Sequence, residues 1–196
     1  RQTSLLTTLK TTTHSPLFDQ KKFWMHSLAV GVFAREIGER SNFQKMEELF
    51  LAGVIHDIGK IILLSFFTHE FERALNTAIS DEVLLIDAER KILGFDHTEV
   101  GYWIAEKWQL PEYLSQVILN HHSPEKSLDY YKICAILQLS DILVRGLSIG
   151  YAGDSYNQII AESNWDMLGL NTDVIPQIIE NGEREFAKSS SFLQLI

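Results

Sequence analysis

The sequence predicts an all-α fold, and three observations carry this prediction. Apolar residues recur three or four positions apart along most of the chain, which is the period of an amphipathic helix. Helix start and stop signals separate these stretches, while strand alternation, internal repeats and low-complexity linkers are not evident. With 196 residues, 45% of them hydrophobic, the chain is long enough to bury one substantial core.

The domain boundary is placed near the start of the chain. Residues 1–18 are rich in threonine and begin with Arg1 rather than Met, so we expect a lead-in segment that ends a preceding region. Residues 19–196 are predicted to form one helical domain. Its first helix is expected over 19–40, with Asp19 as the N-cap, because an aspartate side chain can accept hydrogen bonds from the first free backbone N–H groups.

The remaining helices are predicted from the same signals. Residues 44–58 are expected to form a second helix that Gly59 closes, because glycine readily adopts the left-handed conformation found after helix ends. Gly94 is expected to end another helix, and Pro111 suits a first helical turn, where its missing N–H costs nothing. The further helical ranges are 61–79 (a short helix and then another), 82–92, 97–110, 111–122, 130–147, 156–168 and 173–188.

The charge balance argues against a nucleic-acid-binding surface. The chain has 17 Lys and Arg against 26 Asp and Glu, a formal net charge of −9. Binding to a duplex relies on Lys and Arg to neutralise phosphates. A phosphorylated small molecule is still compatible with this charge, because one or two bound cations can invert the local potential. We therefore expect no nucleic acid, and a phosphorylated small molecule or nucleotide as one candidate ligand.

Apolar runs and cysteine content bear on the compartment. The longest apolar run, residues 61–67, is far shorter than the roughly 18 to 20 residues that a membrane-spanning helix needs. The single cysteine, Cys134, excludes an intramolecular disulfide and fits a reducing cytoplasm. We expect a cytoplasmic protein that does not associate with a membrane.

The pair His56–Asp57 is the most informative local feature of the chain. It is flanked by Val54, Ile55 and Ile58. A carboxylate in an apolar setting is costly unless an ion pair or a metal compensates its charge. Imidazole and carboxylate are ligand types that divalent transition metals favour. The pair therefore indicates a metal site.

Other histidines and one aspartate follow the same pattern as this pair. In each predicted helix the candidate lies on the apolar stripe, so its side chain should point into the core. For example, His26 aligns with Phe23, Val30 and Phe33, and Asp141 aligns with Leu137 and Val144. The candidate ligands are His26, His56, Asp57, His97, His121, His122 and Asp141.

Plainer explanations exist for each residue taken alone. A histidine on an apolar stripe, such as His26, is most often a hydrogen-bonded core residue, and His56–Asp57 could be a local ion pair near a helix end. Lys60 is either a cation at a helix end or a contact for a phosphate. His14 and His69 lie outside the pattern and are expected at the surface. The agreement of five separate segments favours the metal site.

These motifs resemble the HD superfamily of metal-dependent phosphohydrolases, and more closely its signalling branch, the HDOD domains. The resemblance rests on the order of His26, His56–Asp57 with Gly59–Lys60, His97, His121–His122 and Asp141. The stretches from Phe95 to Gly101 and from Glu106 to Glu112 are also similar to motifs of that branch. The resemblance covers about residues 20–190. It implies an HD-domain-like helical bundle with a central metal site.

The resemblance also implies roles for individual residues. One divalent transition metal ion, iron or manganese by preference, would be held by His26, His56, Asp57 and Asp141. Asp57 would bridge to a second ion held by His97 and His121, with His122 as a further ligand. Lys60 and Asp57 would be the catalytic residues, Lys60 by contacting a substrate phosphate. The chemistry implied is hydrolysis by a metal-activated water.

Three function hypotheses remain open from the sequence. The first is a metal-dependent phosphohydrolase that acts on a nucleotide or another phosphoester. The second is a regulatory module that keeps the metal site for structure and works through protein partners in signalling. The third is a dinucleoside polyphosphate hydrolase. Ser123–Pro124 follows the histidine pair where cyclic-dinucleotide phosphodiesterases of a related branch have Gly-Tyr-Pro, which disfavours that activity.

Overall fold

The computed structural model describes residues 15–154 and 156–193, and within these ranges the chain is helical and contains no strand. Residues 1–14 of the predicted lead-in segment, including His14, lie outside the described residues.

The prediction of an all-α fold is confirmed. The helices are α1 Gln20–Arg40, α2 Met46–Ile55, α3 Ile58–Phe66, α4 Thr68–Ser80, α5 Leu85–Leu93, α6 His97–Lys107, α7 Glu112–Asn120, α8 Tyr131–Gly146, α9 Glu162–Leu168 and α10 Ile175–Leu193.

Several helix ends lie where the sequence predicts them, because local side chains satisfy the free backbone groups. The Asp19 carboxylate accepts from the N–H groups of Lys21 and Lys22 at the start of α1. Asp96 and Glu99 form a reciprocal capping box at the start of α6. Gly94 ends α5 with a φ of 82°, in the left-handed region that glycine tolerates best.

The prediction that Gly59 closes a helix over 44–58 is wrong. Helix α2 ends at Ile55, and α3 begins at Ile58, so Gly59 lies in the first turn of the next helix. A side chain at Gly59 would collide with the carbonyl group of His97, which means that glycine is needed here for close contact between α3 and α6. The bend between α2 and α3 falls at His56–Asp57.

The predicted helix over 156–168 is also wrong in its first half. Helix α9 begins only at Glu162, and residues 156–161 have no regular structure. The reason is tertiary, because the side chain of Gln158 in this stretch bonds to His122 and Gln138 instead of facing solvent.

Helix α1 is the centre of the packing. It packs against α2, α8 and α10, while α3 packs against α6, and α6 against α7. Its residue Phe23 belongs to one buried apolar cluster with Leu63, Phe71 and others. Its residue Phe33 belongs to a second cluster, formed mainly with residues of α2, α7 and α8. Since His26 lies between these two positions on α1, it is held where the clusters meet.

One stretch, Met46–Phe66, is long and apolar enough by length and composition to cross a membrane. This corrects the expectation that no apolar stretch approaches that length. In the fold, however, more than half of the stretch is buried inside the protein, and the bend at His56–Asp57 divides it into α2 and α3. Core helices of globular proteins have the same composition, so the stretch carries no positive evidence of a membrane.

The contact between α1 and α2 yields a stability prediction. A Cβ at Gly53 would overlap the backbone of Gly31, so Gly53→Ala should force the two helices apart. We expect the free energy of unfolding to fall by about 1–3 kcal/mol, the usual cost of overpacking. Urea denaturation followed by circular dichroism measures it.

The matched control is Gly146→Ala. A Cβ at Gly146 would meet only the side-chain nitrogen of Asn157, at 4.0 Å. Because alanine is the better helix former, this variant should be neutral or more stable by up to about 1 kcal/mol. Equal destabilisation of both variants would contradict the proposed close contact at Gly53.

Candidate metal centre

The fold brings all seven sequence-predicted ligands into one place. His26 comes from α1, His56 and Asp57 from the bend between α2 and α3, and Asp141 from α8. His97 begins α6, and His121 and His122 follow α7 directly. Six of these side chains are buried, and His122 is half-buried. His69, by contrast, is exposed, as the sequence predicts.

The donor atoms fall into two groups that share Asp57. In the first, which we call the His26 set, the donor atoms of His26, His56 and Asp57 lie within 4.8 Å of one another. Asp141 lies beside them, with its Oδ1 within 3.9 Å of His56 Nε2. The distance from His26 Nε2 to Asp141 Oδ1 is 2.9 Å, and that from His56 Nε2 to Asp57 Oδ2 is 3.3 Å.

The second group, which we call the His97 set, consists of Asp57, His97, His121 and His122. Its donor atoms also lie within 4.8 Å of one another. Asp57 Oδ1 is 3.2 Å from His97 Nε2 and 3.5 Å from His121 Nε2. His97 Nε2 is 3.2 Å from His122 Nε2. Asp57 therefore presents one carboxylate oxygen to each set.

Hydrogen bonds at the outer ring nitrogens orient three of the imidazoles. His56 Nδ1 donates to the carbonyl oxygen of Gly53 at 2.7 Å, and His121 Nδ1 donates to that of Ile118 at 3.0 Å. His97 Nδ1 donates to a carboxylate oxygen of Glu89 at 2.6 Å. Because an acceptor at Nδ1 requires the proton there, the Nε2 atoms of His56 and His121 can present their lone pairs to the centre of the site, and that of His97 can do so once it gives up its own proton. Metal-binding histidines are commonly held in this way.

Several buried atoms at the centre have no hydrogen-bond partner. These atoms are Nε2 of His56 and of His121, and Oδ1 of Asp57. An unpartnered buried polar atom costs about 1–3 kcal/mol, and more if it is charged. A divalent cation would give all three a partner, so the residues fit a metal ion by donor type and by placement.

The electrostatics of the site favour an ionised Asp57 and neutral imidazoles at His26 and His121. Burial opposes ionisation of Asp57, but His56 and Lys60 outweigh it and hold the pKa of its carboxyl well below the ordinary value. Burial lowers the pKa of His26 and of His121. His97 differs, because the Glu89 carboxylate overcomes the effect of burial and raises its pKa to about 9.

The structure gives Lys60 a different partner from the predicted substrate phosphate. Its side chain is completely buried, and its Nζ donates to Asp57 Oδ2 at 2.6 Å. Lys60 lies in the first turn of α3, three residues after Asp57, so the bend that buries the aspartate also buries the lysine. Its ammonium group is thus already neutralised within the protein.

Sequence reasoning missed three charged residues around the site. Glu89 supports His97, while Arg145 donates from Nε to both Asp141 oxygens at 3.0 Å and also bonds to Asp154. Glu89 could have been found, because it follows Leu85 by four positions and so lies on the apolar stripe of α5. Arg145 follows Asp141 by four positions on α8. For Asp154, in a loop, no signal of this kind exists.

The loop between α8 and α9 covers the outer side of the site. Gln158 accepts hydrogen bonds from His122 Nδ1 at 3.2 Å and from Gln138 Nε2 at 3.3 Å. Asp154 accepts from the backbone N–H of Leu85 at 2.5 Å. The cavity left beneath is about 10 Å³ in volume, and its walls include Lys60, His97, His122, Asp141, Arg145, Tyr156 and Gln158. This volume is about that of one water molecule and does not admit a phosphoester.

Comparisons with known proteins agree with this architecture. The chain is similar to an uncharacterised protein of Treponema pallidum (strain Nichols), with 19% identity over 131 residues, which are 66% of this chain and 26% of that protein. An HDOD domain protein of unknown function from Geobacter sulfurreducens has a similar structure, with a TM-score of 0.70 and 23% identity. That similarity covers 97% of this chain and 64% of the other.

Two further solved structures share the fold. A "Putative phosphohydrolase" from Shewanella amazonensis SB2B has a TM-score of 0.57 at 19% identity, covering 85% of this chain and 64% of its own. A "Putative signal transduction protein" from Marinobacter aquaeolei VT8 has a TM-score of 0.69 at 17% identity. That similarity covers 86% of this chain and 38% of the other. The chain thus spans less than two thirds of the length of each of these proteins.

The family model of the HDOD domain matches residues 2–124, which is more than half of the chain and includes six of the seven candidate ligands, from His26 to His122. Together with the helical architecture, this match shows that the chain belongs to the HDOD domain family.

Proposed function

We propose that this domain is a signalling module that holds a divalent transition metal ion in a closed site and transmits a signal through protein partners, without turning over a phosphoester. The observation that carries the proposal is the narrow cavity beside His97, His122 and Asp141. Its volume of about 10 Å³ leaves no room for a phosphate group. A wider cavity of about 320 Å³ on another side of the site reaches only His26 among the candidate ligands. A hydrolytic site needs an open coordination position that substrate can reach.

Support for the metal comes from the donor set. The unpartnered Nε2 and carboxylate atoms converge, and their outer hydrogen bonds hold them in that orientation. Iron or manganese would suit this mixture of imidazole and carboxylate. A bound ion would supply charge compensation for Asp57, while the chain's own residues orient the donors and exclude water.

Support for signalling comes from the comparisons. One structural neighbour is described as a signal transduction protein, and another, MmoQ from Methylococcus capsulatus (strain Bath), as a response regulator. Both are less than 25% identical to this chain, so they share its fold and suggest the role. The cytoplasmic location and the absence of nucleic-acid or membrane partners that the sequence predicts are part of this proposal.

The second candidate is a metal-dependent phosphohydrolase. It is favoured by the completeness of the ligand set and by the half-buried His122, which lies at the edge of the cavity. For this activity Gln158 and its neighbours would have to move away from the histidines. Lys60 would in addition have to leave Asp57 before it could contact a phosphate.

The metal is tested by metal analysis of protein purified without chelator and reconstituted under anaerobic conditions. Asp57→Ala should lose the ion, because Asp57 is the donor that both sets share. His69→Ala, at an exposed position, should keep the metal content of the wild type. Unchanged metal content in Asp57→Ala would show that the ligands are assigned wrongly.

The absence of turnover is tested with bis-p-nitrophenyl phosphate and with cyclic dinucleotides. We expect the metal-loaded protein to release no more product than the same concentration of free metal, because the closed cavity keeps substrate from the ligands. Product formation is followed by absorbance and by chromatography. Metal-dependent hydrolysis that disappears in Asp57→Ala would instead establish the phosphohydrolase.

Glu89 gives a prediction about affinity. Glu89→Gln removes the charge behind His97 and keeps the size of the side chain, so the imidazole becomes a weaker donor. Changes of this kind typically weaken metal binding about 10- to 100-fold. Competition with a chelator of known affinity measures the effect, and Glu70→Gln, at an exposed position of α4, is the control. An affinity equal to that of the wild type would mean that His97 does not bind the ion.

A further inference from the structure

The two donor sets differ in how their carboxylates are already compensated. In the His26 set, Asp57 Oδ2 accepts from Lys60 Nζ at 2.6 Å. Both oxygens of Asp141 accept from Arg145 Nε at 3.0 Å. Lys60 and Arg145 are both buried, so solvent screens neither of these pairs. Each carboxylate beside the His26 set therefore has a cation supplied by the chain itself.

In the His97 set, no lysine or arginine of the described residues lies against Asp57 Oδ1, which faces His97 and His121. Among the described carboxylate oxygens of the two sets, Asp57 Oδ1 is the one that is buried without a hydrogen-bond partner. Three of the six separations between its donor atoms are 3.2, 3.2 and 3.5 Å, and all six are within 4.8 Å. Nitrogen and oxygen donors around a tetrahedral ion at about 2.1 Å would lie about 3.4 Å apart. These separations suit a single ion, and so do those of 2.9 and 3.3 Å in the His26 set, so the two sets differ in their cations and not in their spacing.

We propose that the chain binds one divalent ion, that the His97 set holds it, and that Lys60 and Arg145 take the place of a second ion beside the His26 set. This inference rests on the metal site of the proposed function. It differs from the two-ion arrangement that the family resemblance implies, in which His26, His56, Asp57 and Asp141 hold an ion of their own.

The test is the metal content of protein that is first stripped, then reconstituted with Co²⁺ under anaerobic conditions and desalted. We expect one equivalent of Co²⁺ per chain in the wild type. His121→Gln should lose the ion, and the matched variant His26→Gln should keep it. The readout is elemental analysis, so it does not depend on catalytic activity.

Lys60→Met tests the role of the buried cation. Methionine keeps most of the side-chain volume and removes the charge, so Asp57 Oδ2 becomes free to bind a second ion. The Co²⁺ content should rise from one to two equivalents, while Lys107→Met, at an exposed position, should stay at one. A content of one equivalent in Lys60→Met would overturn the role assigned to Lys60.

The remaining outcomes separate this inference from the proposal on which it rests. Two equivalents in the wild type, loss of Co²⁺ from His26→Gln, or its retention in His121→Gln would overturn the single-ion inference and leave a metal-binding domain. No Co²⁺ in the wild type would contradict the proposed function itself. The wild-type stoichiometry decides between these cases even if a variant fails to fold.

Discussion

The burial of the Asp57 carboxylate is the constraint on which the rest of the structure depends. The side chain has no contact with solvent, so each of its oxygens needs a positive or hydrogen-bonding partner inside the protein. One oxygen finds Lys60, and the other faces His97 and His121. The bend between α2 and α3, and the glycine that lets α3 approach α6, serve to place these partners around one carboxylate.

A second layer of polar residues makes this arrangement rigid. Backbone carbonyls hold His56 and His121, and Glu89 holds His97. Arg145 connects Asp141 on α8 to Asp154 in the covering loop, and Asp154 in turn bonds to the first residue of α5. Through these bonds the centre of the site is linked to the covering loop and to α5.

The same closure that compensates the buried charges also limits the chemistry. A site that is covered by Gln158 and leaves room for about one water molecule is suited to hold an ion, and it is poorly suited to receive a substrate. The permanent cations Lys60 and Arg145 further reduce the charge that is left for metal ions. The narrow cavity and the internal ion pairs are therefore the physical basis on which we propose a regulatory domain and not a hydrolase.

The sequence by itself determined the fold class, most helix ends and the inward direction of the seven candidate ligands. These features depend on local periodicity and capping, which neighbouring residues decide. Only the tertiary structure decided that Gly59 serves a helix contact, that Lys60 pairs with Asp57 and that Gln158 lies over His122. The first and the last of these contacts join residues of different elements, and the pairing of Lys60 with Asp57 depends on the burial of both side chains in the fold. The energies of these contacts depend on burial and on distances in the folded chain, and the local sequence pattern contains no information about either.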